Sequence, residues 1–108
     1  MSGSSGEKTG SGINDNDSIF GVIDNVQGFD SFMLMSTAGA MDVFVSLDGT
    51  NFTTSALSLV DLGAEDTNPV IVTAANRLYG FRGKFKKIRV DQNGATAVEN
   101  AVIKYGVM

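Results

Sequence analysis

Hydrophobic and polar side chains alternate from Met41 to Leu47, with Val43, Val45 and Leu47 on one face and Asp42, Phe44 and Ser46 on the other. A period of two with one face apolar is the pattern of a strand covered mainly on one side. The run leads into Asp48-Gly49. Asp-Gly beside such a run predicts a hairpin, because glycine takes positive φ without a Cβ clash. Further strands are predicted at Ile19 to Asp24, Ser31 to Ser36, Ala56 to Leu62, Val70 to Thr73, Leu78 to Arg82, Phe85 to Asp91 and Ala97 to Tyr105. Turn residues separate them at Gln27-Gly28, Ala38-Gly39, Gly63 to Pro69 and Asn93-Gly94. About eight short strands at this spacing predict an all-β fold, a two-sheet antiparallel sandwich of jelly-roll type.

Two stretches depart from simple alternation. Phe32-Met33-Leu34-Met35 is apolar on both faces, so the outward face needs a cover. Either a loop or the second sheet lies over it, or Met33 and Met35 are self-association residues at a subunit contact, where methionine adapts to irregular surfaces. In Phe81 to Val90, Phe81 and Phe85 share one parity while Ile88 and Val90 share the other. A bulge near Lys86-Lys87, or an exposed Phe85, would reconcile them.

Residues 1–17 are rich in Gly, Ser, Asn and Asp, with Ile13 the first apolar side chain after Met1. Such a segment buries too little apolar area to offset its ordering entropy, so it reads as a flexible N-terminal arm. The arm is either an unstructured terminus or a strap that reaches over a neighbouring subunit. Residues 18–108 then form the sandwich domain, a size that allows one core.

Composition narrows the chemistry. Histidine, cysteine and tryptophan are absent, which removes disulfides, thiol chemistry and structural zinc sites. The formal net charge of −4 gives no overall attraction for nucleic acid or anionic lipid, so neither is expected as a partner. The N-terminus lacks the apolar run of a secretory signal, and no run approaches the length of a membrane-spanning helix. Gly3 to Thr9 has the flavour of a phosphate loop, yet Lys8 does not follow the second glycine directly, and no strand is predicted before it. Asn14 to Asp17 and the group Asp61, Glu65 and Asp66 offer oxygen ligands of the kind calcium takes, but neither has EF-hand spacing. Asn16-Asp17-Ser18 and Asn51-Phe52-Thr53 match the glycosylation pattern, which has no consequence without a secretory route. No catalytic constellation is present, so no enzyme activity and no cofactor are expected. The positive charge gathers at Arg77, Arg82, Lys84, Lys86, Lys87 and Arg89. This stripe reads either as a solvated strand whose lysines discourage edge pairing, or as a docking surface for an acidic partner.

Three segments together carry a resemblance. Val43 to Phe52 closes in Ser-Leu-Asp-Gly-Thr-Asn-Phe, Leu78 to Val90 contains Phe-Lys-Lys-Ile-Arg-Val, and the chain nears its end in Val-Ile-Lys-Tyr-Gly. From Met41 to Met108 this is similar to the discoidin-like, galactose-binding-like jelly roll. With the Gly/Ser arm and acidic balance, the chain also resembles small β-sandwich structural proteins of tailed bacteriophages, most of all head decoration (cement) proteins. The resemblance implies a virion protein on the capsid surface, assembled in the host cytoplasm. Its partners would be the major capsid protein and further copies of itself in a homo-oligomer, expected as a trimer. Two alternatives stand beside it: a glycan-binding module, with Tyr79, Tyr105 and the phenylalanines as stacking surfaces, and a tail, neck or fibre-attachment protein.

Overall fold

The computed structural model describes residues 5–10, 28–63 and 69–107. The described residues are all-β, without helix, and form two antiparallel sheets. Seven strands run in the order β1 (Ser5–Gly10), β2 (Ser31–Met35), β3 (Met41–Ser46), β4 (Val60–Asp61), β5 (Tyr79–Arg82), β6 (Lys87–Gln92) and β7 (Ala101–Gly106). The larger sheet has the order β1-β7-β2-β5-β4, and the smaller pairs β3 with β6.

One core lies between the sheets. Alternation sends Phe32 and Leu34 of β2, Tyr79 and Phe81 of β5, and Ala101 and Ile103 of β7 inward from the larger sheet. Met41, Val43 and Val45 of β3 meet them with Ile88 and Val90 of β6. Phe32 and Phe81 are register partners, and their rings stack 5.0 Å apart at 11°. Fully burying side chains of this size contributes about 1.5–3 kcal/mol each against the entropy of ordering the chain.

A two-stranded sheet is marginal alone, so the other edge of β3 must be satisfied. Loop residues do this. Thr53 N–H donates to the Val45 carbonyl at 2.9 Å and Leu57 N–H to the Val43 carbonyl at 2.7 Å. Thr73 N–H donates to the Met41 carbonyl at 2.9 Å, while Met41 N–H donates to the Thr73 hydroxyl at 2.9 Å. The turn expected at Asp48-Gly49 is present, with Gly49 at φ 83°, but the hairpin is reduced to a single bridge from Phe52 to Ser46, and β3 takes β6 as its strand partner.

Several expected strands differ. Leu47 does not share the buried face of Val43 and Val45; β3 ends at Ser46, which turns inward, and Leu47 is 75% exposed. Ala56 to Leu62 yields only the two-residue β4, and Val70 to Thr73 only a bridge from Val70 to Leu59, because Leu57 and Thr73 spend their N–H groups on β3. In Ala97 to Tyr105 the strand begins at Ala101, after the positive φ of Asn100. Ile19 to Asp24 lies outside the described residues. The parity change in Phe81 to Val90 is a change of sheet rather than a bulge: β5 ends at Arg82 in the larger sheet and β6 starts at Lys87 in the smaller. Phe85, in the connection, is half-buried against Phe32 and Phe81 rather than exposed.

Within residues 1–17, read as a flexible arm, Ser5–Gly10 forms β1 and pairs with β7 over six positions from Ser5↔Gly106 to Gly10↔Ala101. The composition argument counts only side-chain burial, whereas this pairing runs through the backbone. Among the described residues the strands number seven, against about eight expected, of which Ile19 to Asp24 lies outside the described residues.

Candidate functional site

Strand geometry that sends Phe32 and Leu34 into the core sends Met33 and Met35 to the opposite face, and no described element covers them there. Met33 is 44% exposed and Met35 37%. Register fixes their neighbours. Glu7, Lys104, Met33, Gly80 and Val60 form one line across all five strands of the larger sheet. The next line has Thr9 in β1 and is apolar across the other strands: Val102 is the partner of Met35, and Leu78 and Leu62 continue it, with Leu62 N–H donating to the Leu78 carbonyl at 3.0 Å. On the other side of the first line, Ser31 pairs with Gly106 and with Arg82.

Met33 is a ridge between two shallow grooves. One, of about 300 Å³, runs past Glu7, Lys104, Val102, Met35 and Leu78. The other, of about 460 Å³, opens over Gly80 between Val60, Leu62 and Arg82. Gly80 presents no side chain, which makes the floor of that groove. An apolar surface of this extent, rimmed by Glu7, Lys104 and Arg82, has the make-up of a protein contact: an apolar centre and a charged margin. Of the two covers offered for this strand by sequence, neither the second sheet nor a described loop lies on the methionine side.

The basic stripe does not form one surface. Arg77 Nε donates to Asp61 Oδ2 at 2.6 Å, and Gly63 N–H donates to Asp61 Oδ1 at 2.9 Å, so the buried Asp61 carboxylate is held from two sides. Asp61 in turn raises the pKa of the Arg77 guanidinium above its ordinary value, by hydrogen bonding first and charge second. Asp61, read as an oxygen ligand for calcium, is thereby engaged, and Glu65, Asp66 and Asn14 to Asp17 lie outside the described residues. Among the described residues no three acidic side chains gather as a metal site. Arg89 is in β6 on the outer face of the smaller sheet, its guanidinium 4.7 Å from the Phe44 ring centroid and 5.2 Å from that of Phe52. Its Nε donates to Asp91 Oδ2 at 3.1 Å. Lys86 and Lys87 lie beside the Gly49 turn. Arg82 and Lys84 are exposed, Arg82 on the methionine face.

The Asp48 turn is built on one carboxylate. Asp48 Oδ1 accepts from Thr50 N–H and Asn51 N–H, both at 2.8 Å, and from the Ser46 hydroxyl at 3.0 Å. Asp48 Oδ2 accepts from the Asn51 side-chain amide at 2.7 Å. These donors, the Asn51 N–H foremost and Thr50 N–H next, hold the Asp48 carboxyl well below its ordinary 3.8. The turn is therefore saturated by its own groups. Of the aromatics considered for sugar stacking, Tyr79 is buried with its hydroxyl accepting from Ala74 N–H at 2.7 Å, Tyr105 packs edge-on against Phe29 at 4.9 Å, and the half-exposed Phe44 and Phe52 carry the Arg89 guanidinium. The larger sheet's outer face was legible in sequence as Met33 and Met35; Leu78, Val102 and Gly80 were missed there because their place on it depends on register between strands far apart in the chain. Comparison with protein-family models, curated proteins and solved structures finds no match to this chain.

Proposed function

We propose that this chain is a non-enzymatic structural protein of a tailed-bacteriophage virion, of the head-decoration kind, with the two sheets arranged as a jelly roll. It binds the outer capsid surface at symmetry-related sites and associates with further copies of itself. The observation that carries this reading is the apolar face around Met33 and Met35, which no element among the described residues covers, on a scaffold whose turn and strand sequences resemble such proteins. The mechanism is additive: each copy bridges neighbouring capsid subunits, so a modest contact per copy becomes large avidity over the shell. Exposed basic residues at Arg82 and Lys84, with Lys86 and Lys87 near the Gly49 turn, supply steering toward an acidic capsid surface. The occupied aromatics favour this over the glycan-binding alternative, for which a glycan titration is expected to give no saturable binding.

Rate-zonal sedimentation of the source lysate, with mass spectrometry of the fractions, tests the proposal. Co-migration with large particles at a fixed ratio to a capsid-sized protein is the expected result. Recovery only at the top of the gradient overturns it. Reversing the charge of Lys86 and Lys87 is expected to lower occupancy in a salt-dependent way, through slower encounter more than faster release.

A further inference from the structure

The methionine face carries an acid, Glu7, on the edge strand β1 and a base, Arg82, on β5. We propose that this face is an isologous contact with a second copy of the same chain, the axis lying in the contact plane, parallel to the strands and between β7 and β2. The inference goes beyond the capsid reading, since it fixes the partner and the geometry of self-association.

Register supplies the argument. Adjacent strands lie about 4.8 Å apart, successive outward residues about 6.8 Å apart along a strand, and stacked sheets about 10 Å apart. Rotation about an axis between β7 and β2 exchanges those two strands and carries β1 onto β5 of the partner. Met35 of each copy then lies over Val102 of the other, because the two are register partners within one chain. Met33 falls over the aliphatic stem of Lys104 in the same way. Glu7, in line with Gly80, lands over the bare floor that Gly80 leaves in the partner. Arg82 of that partner stands one outward position away on the same strand, within side-chain reach. The symmetry makes this pairing twice, with the apolar row between.

An axis between β2 and β5 fits less well. It would set Lys104 over Val60 and carry Glu7 past the edge of the sheet, leaving Glu7 beside Lys104 of its own chain with no basic partner across the contact. Charge complementarity therefore selects the first axis. A contact of this kind uses the same patch on both copies and closes at two. A three-fold assembly would need a different surface.

Within one chain, Glu7 and Arg82 stand three strands and one outward position apart, about 16 Å, so a coupling between them reports a contact between copies. Sedimentation velocity over a concentration series is the measurement, on the full chain and on Glu7→Arg, Arg82→Glu, the double variant and Met33→Glu. Circular dichroism confirms that each variant is folded, which exposed positions permit. The wild type is expected as a dimer. Each single charge variant is expected to weaken it about tenfold, the low end for close charge pairs, and the double variant to recover most of that loss. Met33→Glu is expected to leave monomer. A wild type that stays monomeric, a mass of three copies, or charge effects that add rather than cancel would overturn the proposal. None of these would by itself unseat the capsid reading, which the particle gradient tests separately.

Discussion

Gly39 and Gly49 share a backbone conformation, φ 82° and φ 83°, and differ in what a methyl group would meet. At Gly49 the nearest atoms to an added Cβ belong to the Lys86 side chain, at 3.0 Å and 3.3 Å, and that chain can swing away. At Gly39 they are backbone: the Ala97 carbonyl oxygen and the Val98 Cα, both at 2.8 Å. The 97–99 segment cannot retreat easily. Val98 is buried, and Glu99 is tied to the 37–38 turn by Thr37 N–H at 3.0 Å and by its own N–H to the Ala38 carbonyl at 3.1 Å. Holding an alanine in the left-handed region costs about 1–2 kcal/mol. Restricting the unfolded chain returns about 0.4–1 kcal/mol of that. Gly49→Ala should therefore lose about 1 kcal/mol. Gly39→Ala carries the same conformational cost plus about 1–3 kcal/mol for forcing a methyl into packed backbone, near 3 kcal/mol in all. With a urea slope of about 1.5 kcal/mol/M, the midpoints fall by about 0.7 M for Gly49→Ala and about 2 M for Gly39→Ala. Urea titration by circular dichroism reads both. Equal shifts with unchanged slopes would show that the close approach of the 39 and 97–98 segments does not hold the fold, and would refute the reasoning.

Two further predictions concern side chains. Because the folded Asp48 pKa lies below its unfolded value, the turn's stabilisation is present above about pH 4 and is lost as pH falls through the folded value. Thermal melts of wild type and Asp48→Asn are expected to differ most near neutral pH and to converge in acid; a difference independent of pH would show that the carboxylate's charge is not what holds Thr50 and Asn51. For Arg89, held between Phe44 and Phe52, Arg89→Met is expected to lose about 1–2 kcal/mol, and Arg89→Lys to lose about half as much, because an ammonium lacks the planar group that lies against both rings. Wild-type stability in both variants, measured by urea titration, would sink that account.

What sequence reveals of this fold is what local periodicity encodes. Met41 to Ser46 reads as a strand from its alternation, and the turn after it from Asp48-Gly49, because both signals lie within a few residues. The limits appear where a residue's partner is remote. Thr53, Leu57 and Thr73 look like ordinary strand or loop residues, yet all three donate backbone N–H groups along β3, and the Thr53 and Thr73 hydroxyls accept from it. The stripe from Arg77 to Arg89 looks continuous because those residues are close in sequence. The crossing from β5 to β6 divides it between the two sheets, while Asp61 and Asp91 each draw one arginine into an ion pair. The doubly apolar run at Phe32 to Met35 shows the opposite case. Its sequence predicts that one face needs a cover, and the register then supplies what sequence lacks, a line from Glu7 through Lys104, Met33 and Gly80 to Val60, with Arg82 one outward position away. Local pattern marks a strand as apolar on both faces; only the pairing of distant strands gives the outer face its shape.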